Sequence, residues 1–273
     1  MKEYIAILLC SFLFLQCSQK KLKNDLYNFE LQGKVKSMRR CSFICPIEFG
    51  KVDTNKQGKF IERFNIFLTE YQFDIDGFLI EEKTYFEDGT LDERQAYRYD
   101  ESSGNKRKIE KNRYNIKGDL LQKTFFEHDK KSNTVREILE GVNRHYYKYN
   151  DDNDLIEQSY FNQDSIIIHY FYDVNKNIIS ENARFGSDLT KRYYKYENNK
   201  KTMEEAIDET GKTVEKLSYR YDTNGNNIEI FDALQDKVRQ QNFFDNKNNI
   251  TSYISYILDE NEARFTKKEI IYY

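Results

Sequence analysis

The residue types best suited to chemistry are scattered along this chain. His128, His145 and His169 share no metal-ligand spacing, and in segments this rich in charge they are expected at the surface. The cluster Asp151-Asp152-Asn153-Asp154 has the composition of a calcium loop but lacks the glycine and the distant glutamate of an EF-hand, so it reads as a solvated turn. Glu81-Glu82 and Glu204-Glu205 are adjacent acids. On a strand, adjacent side chains point to opposite faces, which is wrong for two carboxylates flanking one bond. There is no glycine-rich phosphate loop and no G-x-S-x-G element. The expectation is a non-catalytic protein without metal or cofactor. A hydrolase built from dispersed acids is a remote alternative.

The cysteines carry a different message. Tyr4 to Leu15 is an almost unbroken apolar run behind Met1-Lys2-Glu3, too short to span a membrane and suited to the core of a signal peptide. It leads into Phe14-Leu15-Gln16-Cys17-Ser18. An apolar run ending in cysteine resembles a bacterial lipobox, which implies lipid attachment at Cys17. Gln16 departs from the small residue usual before that cysteine, and Cys10 lies inside the apolar run. The expected division is a signal peptide over 1–16, a polar tether over 17–27, an N-terminal capping segment over 28–59 and a repeat array over 60–273. The expected location is the bacterial cell envelope, lipid-anchored to a membrane, the outer one by preference, and facing the periplasm or the cell surface.

Cys41 and Cys45 remain in the body, and export permits a disulfide. Four positions along a regular strand span about 13 Å, whereas bonded cysteines need Cα atoms within roughly 7 Å. The pair can form only if Ser42-Phe43-Ile44 turn; two separate thiols is the alternative.

The elements that would position these groups are legible in composition and period. Acids and bases nearly cancel, 46 against 43, and a pI near 5.8 is not the footprint of a nucleic-acid binder. Twenty-two Tyr and 20 Phe exclude a disordered chain and suit pleated, half-buried surfaces. A motif of aromatic-x-aromatic followed by an acid or Asn recurs. Its clear copies begin with the pairs Tyr71 and Phe73, Tyr97 and Tyr99, Tyr147 and Tyr149, Tyr170 and Tyr172, Tyr194 and Tyr196, Tyr219 and Tyr221. Weaker copies start at Thr124, Asn242 and Ile271, and successive starts lie 23 to 29 residues apart.

Each unit reads as two strands and two turns. Leu217-Ser218-Tyr219-Arg220-Tyr221 alternates with period two, and Asp222-Thr223-Asn224-Gly225 follows with Asp first and Gly fourth, as type I turns prefer. Asn153 and Asn248 replace that glycine tolerably, while Lys176 and Lys200 call for another turn geometry. The charged stretch Glu101 to Arg113 falls in phase and reads as turn and strand.

The run Tyr219-Arg220-Tyr221-Asp222-Thr223-Asn224-Gly225-Asn226 resembles the YD repeats of RHS-type proteins, and the resemblance covers roughly residues 60 to 273. It implies a long antiparallel β-meander that coils into a shell. Large members of that family enclose a C-terminal toxin. Pro46 is the only proline here, so the Asp-Pro boundary element is missing, and no toxin domain is expected.

The fold class expected is therefore all-β, an antiparallel meander of about 16 to 18 short strands with one aromatic and one charged face. A sheet that large curls or splits. At about 4.8 Å per strand a closed tube would have a perimeter of roughly 80 Å and be about 25 Å across before tilt. Flattening, coiling and a tyrosine-lined cavity all remain open. A transmembrane barrel is disfavoured because one face of most strands carries Lys, Arg or Glu. The functional expectation is an interaction or structural module held at a membrane by its lipid and binding an envelope protein or glycan. A carbohydrate-binding lipoprotein using exposed tyrosines is the alternative.

Overall fold

A computed structural model describes residues 24–48, 51–54, 68–101, 106–161, 165–257 and 262–273. Cys10, Cys17 and the whole 1–16 leader lie outside the described residues. The strands begin with β1 (Val35–Glu48), β2 (Lys51–Val52), β3 (Leu68–Phe73), β4 (Leu79–Tyr85), β5 (Leu91–Asp100) and β6 (Arg107–Tyr114). They continue with β7 (Leu120–Asp129), β8 (Thr134–Leu139), β9 (Val142–Tyr149), β10 (Leu155–Phe161), β11 (Ser165–Tyr172), β12 (Ile178–Phe185) and β13 (Asp188–Glu197). The last are β14 (Lys200–Ile207), β15 (Thr213–Tyr221), β16 (Asn227–Asp232), β17 (Lys237–Phe244), β18 (Ile250–Tyr256) and β19 (Glu262–Tyr272).

From β3 to β19 every strand pairs antiparallel with the next. β1 pairs with β19 on one side and β3 on the other, so the meander closes into a barrel of eighteen strands, with β2 a short outlying partner of β1. Closure is how the sheet covers its aromatic face without helices, and it removes both edges. The 28–59 segment, expected as a cap, supplies the closing stave. Ser42, Phe43 and Ile44 continue β1 rather than turning, so Cys41 and Cys45 sit on one strand and are not joined by a disulfide.

The turns explain the aspartate of the motif. In the β3–β4 turn, Gly77 N–H donates to Asp74 O at 3.0 Å and Asp74 N–H to Phe78 O at 2.9 Å. The Asp74 carboxylate accepts from Asp76 N–H at 3.0 Å and Phe78 N–H at 2.9 Å, so one side chain satisfies two turn donors. Gly77 has φ of +86° in this type I turn with a left-handed closing residue. The same bonds recur at Asp173, Asp222 and Asp245. Lys176 takes φ of +67° and closes an ordinary copy of this turn, contrary to the expectation of another geometry. Lys200 does follow a different turn: Asn198 and Asn199, both left-handed, make a two-residue hairpin.

The described YD turns lie at one rim of the barrel, and the chain itself enters that mouth. Residues 25–27, expected as the end of a polar tether, belong to the body. A single turn of helix, α1 (Asp25–Asn28), buries Asp25 and Leu26. Leu26 N–H donates to Gly77 O at 3.1 Å, and Asp25 accepts from Leu79 N–H at 2.9 Å and Tyr99 OH at 2.6 Å. Leu26, Leu31, Val35, Met38, Tyr71, Phe73 and Leu79 form the largest apolar cluster, with Phe29 tilted against Tyr71 at 4.7 Å between ring centres. A Cβ on Gly77 would lie 2.6 Å from Leu26 Cδ1, so the plug fits only against glycine there. Farther along, Tyr27 lies within electrostatic reach of Tyr172 on β11, and Glu30 of Lys268 on β19 and Lys201 on β14. Gln32 and Asn249 exchange hydrogen bonds at the β17–β18 turn, on the other flank of β1.

Burial pushes the Glu30 carboxyl up to about 7, against the pull of Lys268 and Lys201. The carboxyl binds a proton more readily in the plug than in the unfolded chain. Its stabilising share is complete below about pH 4.5 and is lost as pH rises through about 7. A shift of this size corresponds to at most about 3 kcal/mol. Urea unfolding at pH 5 and pH 8 is expected to show Glu30→Gln matching the parent at pH 5 and exceeding it at pH 8.

Candidate functional site: the lumenal wall

Residues two apart on a strand share a face, so both aromatics of each motif point the same way, and in this barrel that way is inward. Tyr71, Tyr170 and Tyr219 are all under 10% exposed, while the intervening Phe171 and Arg220 face outward. The repeat tyrosines are wall and core, not an exposed platform for stacking sugars.

The motif builds two tiers. In the inner tier the first tyrosine meets a polar side chain from the strand before it. Tyr97 OH donates to Glu82 at 3.1 Å, Tyr170 OH to Gln158 at 3.1 Å and Tyr219 OH to Glu204 at 2.6 Å, and Tyr194 is hydrogen-bonded to Glu181. Burial, and then the facing carboxylate, pushes these four hydroxyls well above the ordinary tyrosine range, with Glu181 the carboxylate facing Tyr170.

The outer tier answers a need created by the backbone. In seven of the eight YD hairpins the register slips by one residue just before the second aromatic position, leaving an unpaired bulge residue on the returning strand. These are Ile80, Ile109, Ile156, Ile179, Thr202, Ile228 and Thr251, all β-branched. A bulge disrupts the ladder locally and frees a carbonyl. Tyr99 OH donates to Leu79 O at 2.8 Å, Tyr172 OH to Leu155 O at 2.7 Å and Tyr221 OH to Lys201 O at 2.8 Å, each the carbonyl just before the preceding hairpin's bulge. In the weaker copy at Asn242, the Asn242 amide reaches Asn227 O at 2.9 Å in the same role.

Deeper along the wall, on the face expected to be aromatic, lies a charge cluster. Arg192 on β13, 5% exposed, bonds Glu181 on β12 at 3.3 Å, Glu215 on β15 at 2.7 Å and Glu204 on β14. Lys201 bonds Glu204 at 2.8 Å, and Arg239 on β17 bonds Glu215 and Asp232, each at 3.1 Å. Burial alone would raise Glu204, but Lys201 and Arg192 outweigh it and hold the carboxyl at about 2. Burial dominates at Lys201, which it lowers, and at Glu181, which it raises. The acids were discoverable by phase: Glu82, Glu181 and Glu204 precede Tyr97, Tyr194 and Tyr219 by 15, 13 and 15 residues.

The histidines divide, correcting their assignment to the surface. His145 faces the lumen, 2.7 Å from Glu137, with its ring edge-on to Tyr160 at 4.6 Å. His128 Nε2 lies 2.8 Å from Lys108 O, and only His169 is half exposed. Glu81 and Glu205 face outward, to Arg94 and Lys216, opposite to Glu82 and Glu204. Asn150 organises the Asp151–Asp154 turn by accepting from Asp152 and Asp154 N–H. Among the described residues no three of His, Cys, Asp and Glu converge to hold a metal ion. The lumenal charges are arranged to satisfy one another, which is the chemistry of a polar core.

Fold and wall together define a class: a closed antiparallel barrel with an ion-paired, tyrosine-tiered lumen and a plug in one mouth. No family model and no curated protein matches the chain. Among solved structures, a porin-like protein from Bacteroides uniformis is similar at 9% identity and a TM-score of 0.45, over 88% of this chain and 99% of that one. The Photorhabdus luminescens Tc holotoxin pore is similar at 13% identity and 0.24, over 70% of this chain and 13% of that one. TcdB2-TccC3 without its hypervariable C-terminal region is similar at 9% and 0.33, over 88% and 16%. The chain thus spans a small part of the Tc chains' length. With every TM-score below 0.5, these likenesses do not bear on what the chain binds or does.

Removing Arg192 takes the shared base from buried Glu181 and Glu204 and half-buried Glu215. Arg192→Met is expected to destabilise the barrel by about 3–5 kcal/mol, measured by urea unfolding. Arg220→Met, at an outward pair 3.2 Å from Glu229, is expected to change stability by under about 1 kcal/mol.

Proposed function

We propose that this chain is a non-catalytic lipoprotein of the bacterial cell envelope, tethered through Cys17 and displaying a rigid barrel to an envelope protein or glycan. The observation that carries the reading is the chemistry of the outer wall. A barrel that crosses a bilayer needs an apolar outer band, and Lys or Arg at its midplane costs about 2–4 kcal/mol each. Here outward ion pairs cross the strands: Arg39–Glu70 at 2.7 Å, Arg98–Glu110 at 2.6 Å, Arg136–Glu127 at 3.0 Å and Arg220–Glu229 at 3.2 Å. The outer wall is suited to water, so attachment to a membrane falls to the apolar leader and Cys17. The lumenal groups support a structural part for the interior, because each acid of the Arg192 cluster is held by a neighbouring base.

The test is expression of the full chain with a radiolabelled fatty acid beside Cys17→Ser, followed by carbonate extraction of membranes. The expected result is label in the membrane fraction of the parent and none in the variant. Absence of label in both, or label retained by Cys17→Ser, would overturn the reading.

A further inference from the structure

The path of the N-terminal segment gives the tethered barrel a direction. We infer that the rim carrying the YD turns is the end held against the lipid surface, and that the opposite rim is presented outward; this rests on anchoring through Cys17. The described chain starts at Asn24, whose side chain donates to Asp76 O at 2.6 Å in the β3–β4 turn of that rim. From there it enters the mouth and is locked: Asp25 is bonded by Leu79 N–H, Tyr99 OH and Lys108, and Leu26 is buried in the main apolar cluster. The root of the tether is therefore fixed at one rim.

Cys17 is seven positions before Asn24, so the connection spans at most about 25 Å fully extended. Strands of eight to ten residues, such as β5, β6 and β9, run roughly 26–33 Å, which separates the two rims by about 18–27 Å at the tilt a closed barrel requires. A tether rooted inside one mouth would have to clear the wall and then run its whole height to bring the lipid level with the far rim. Seven residues do not cover that path with length to spare for insertion. Lys20, Lys21 and Lys23 lie between anchor and root, where anionic headgroups attract them. The far rim, with Ile116 at 62% and Leu234 at 51% exposure on its turns, then faces away from the lipid.

The chain has no tryptophan, so a single introduced one reports its own surroundings. Asn224→Trp marks the exposed tip of the β15–β16 turn at the YD rim, and Lys117→Trp the exposed β6–β7 turn at the far rim. Each acylated full chain would be placed in phosphatidylethanolamine–phosphatidylglycerol vesicles containing a headgroup-nitroxide lipid. The orientation predicts loss of most of the Asn224→Trp emission and little change for Lys117→Trp. Equal quenching, or stronger quenching at Lys117→Trp, would overturn it. Fatty-acid incorporation is read on the same samples. Should no acylation occur, anchoring fails on its own, and coupling a maleimide lipid to Cys17 of a chain carrying Cys10→Ser, Cys41→Ser and Cys45→Ala leaves the quenching comparison to judge the direction.

Discussion

Everything in this barrel follows from the need to satisfy polar groups that a closed sheet turns away from bulk water. Eighteen antiparallel strands with period-two alternation send half their side chains into the lumen, and in this sequence that half includes carboxylates, lysines and arginines as well as aromatics. A buried acid without a partner costs far more than the hydrophobic gain of a neighbouring ring. Tyrosine resolves the conflict, because its ring is apolar and its hydroxyl donates. In four copies the first tyrosine feeds a lumenal acid or amide, and in three the second caps the carbonyl freed by the preceding bulge. Repeat is thereby bonded to repeat through side chains as well as through the ladder.

The same constraint explains why aspartate and asparagine punctuate the motif. Asp222 holds its own turn, Asn226 bonds back to Asp222 at 3.0 Å, and the Asn226 amide reaches Asn248 of the next YD turn at 3.1 Å. Asn177 and Asn199 repeat that link at 3.3 Å. A girdle of amide contacts thus joins turns at the rim where the plug is seated. The opposite rim is closed by similar Asx turns, as at Asp208, without a described segment crossing it.

Fold was far more legible in the sequence than site. The alternation in Leu217 to Tyr221 and the regular return of the motif gave all-β structure, strand pairing and strand number, because period two and turn chemistry are local. Three features depended on long-range placement instead. Val35 to Glu48 lacks the motif and contains Pro46, so nothing local marked it as the strand that closes the ring. Asp25 to Tyr27 ends a polar stretch that reads as tether, yet Asp25 and Leu26 are buried by partners distant in sequence: Gly77, Tyr99 and Lys108, the last 83 residues away. Charged residues in general suggest an outer face; period two puts Arg192 on the face of Tyr194, but its pairing with Glu204 depends on the register of neighbouring strands. Lys176 shows the complementary lesson: the turn's side-chain bonds to Asp173 impose a left-handed backbone on a residue that does not favour it.

The central claim is that the repeat tyrosines line the lumen and donate to its carboxylates and carbonyls. The direct measurement is tyrosinate absorbance during an alkaline titration, followed together with far-ultraviolet circular dichroism. The account predicts that most of the tyrosine signal stays silent through the ordinary range near pH 10 and appears only as the β signal collapses. A large, reversible rise near pH 10 with the β signal intact would mean that Tyr97, Tyr170, Tyr194 and Tyr219 face solvent, and it would contradict the account.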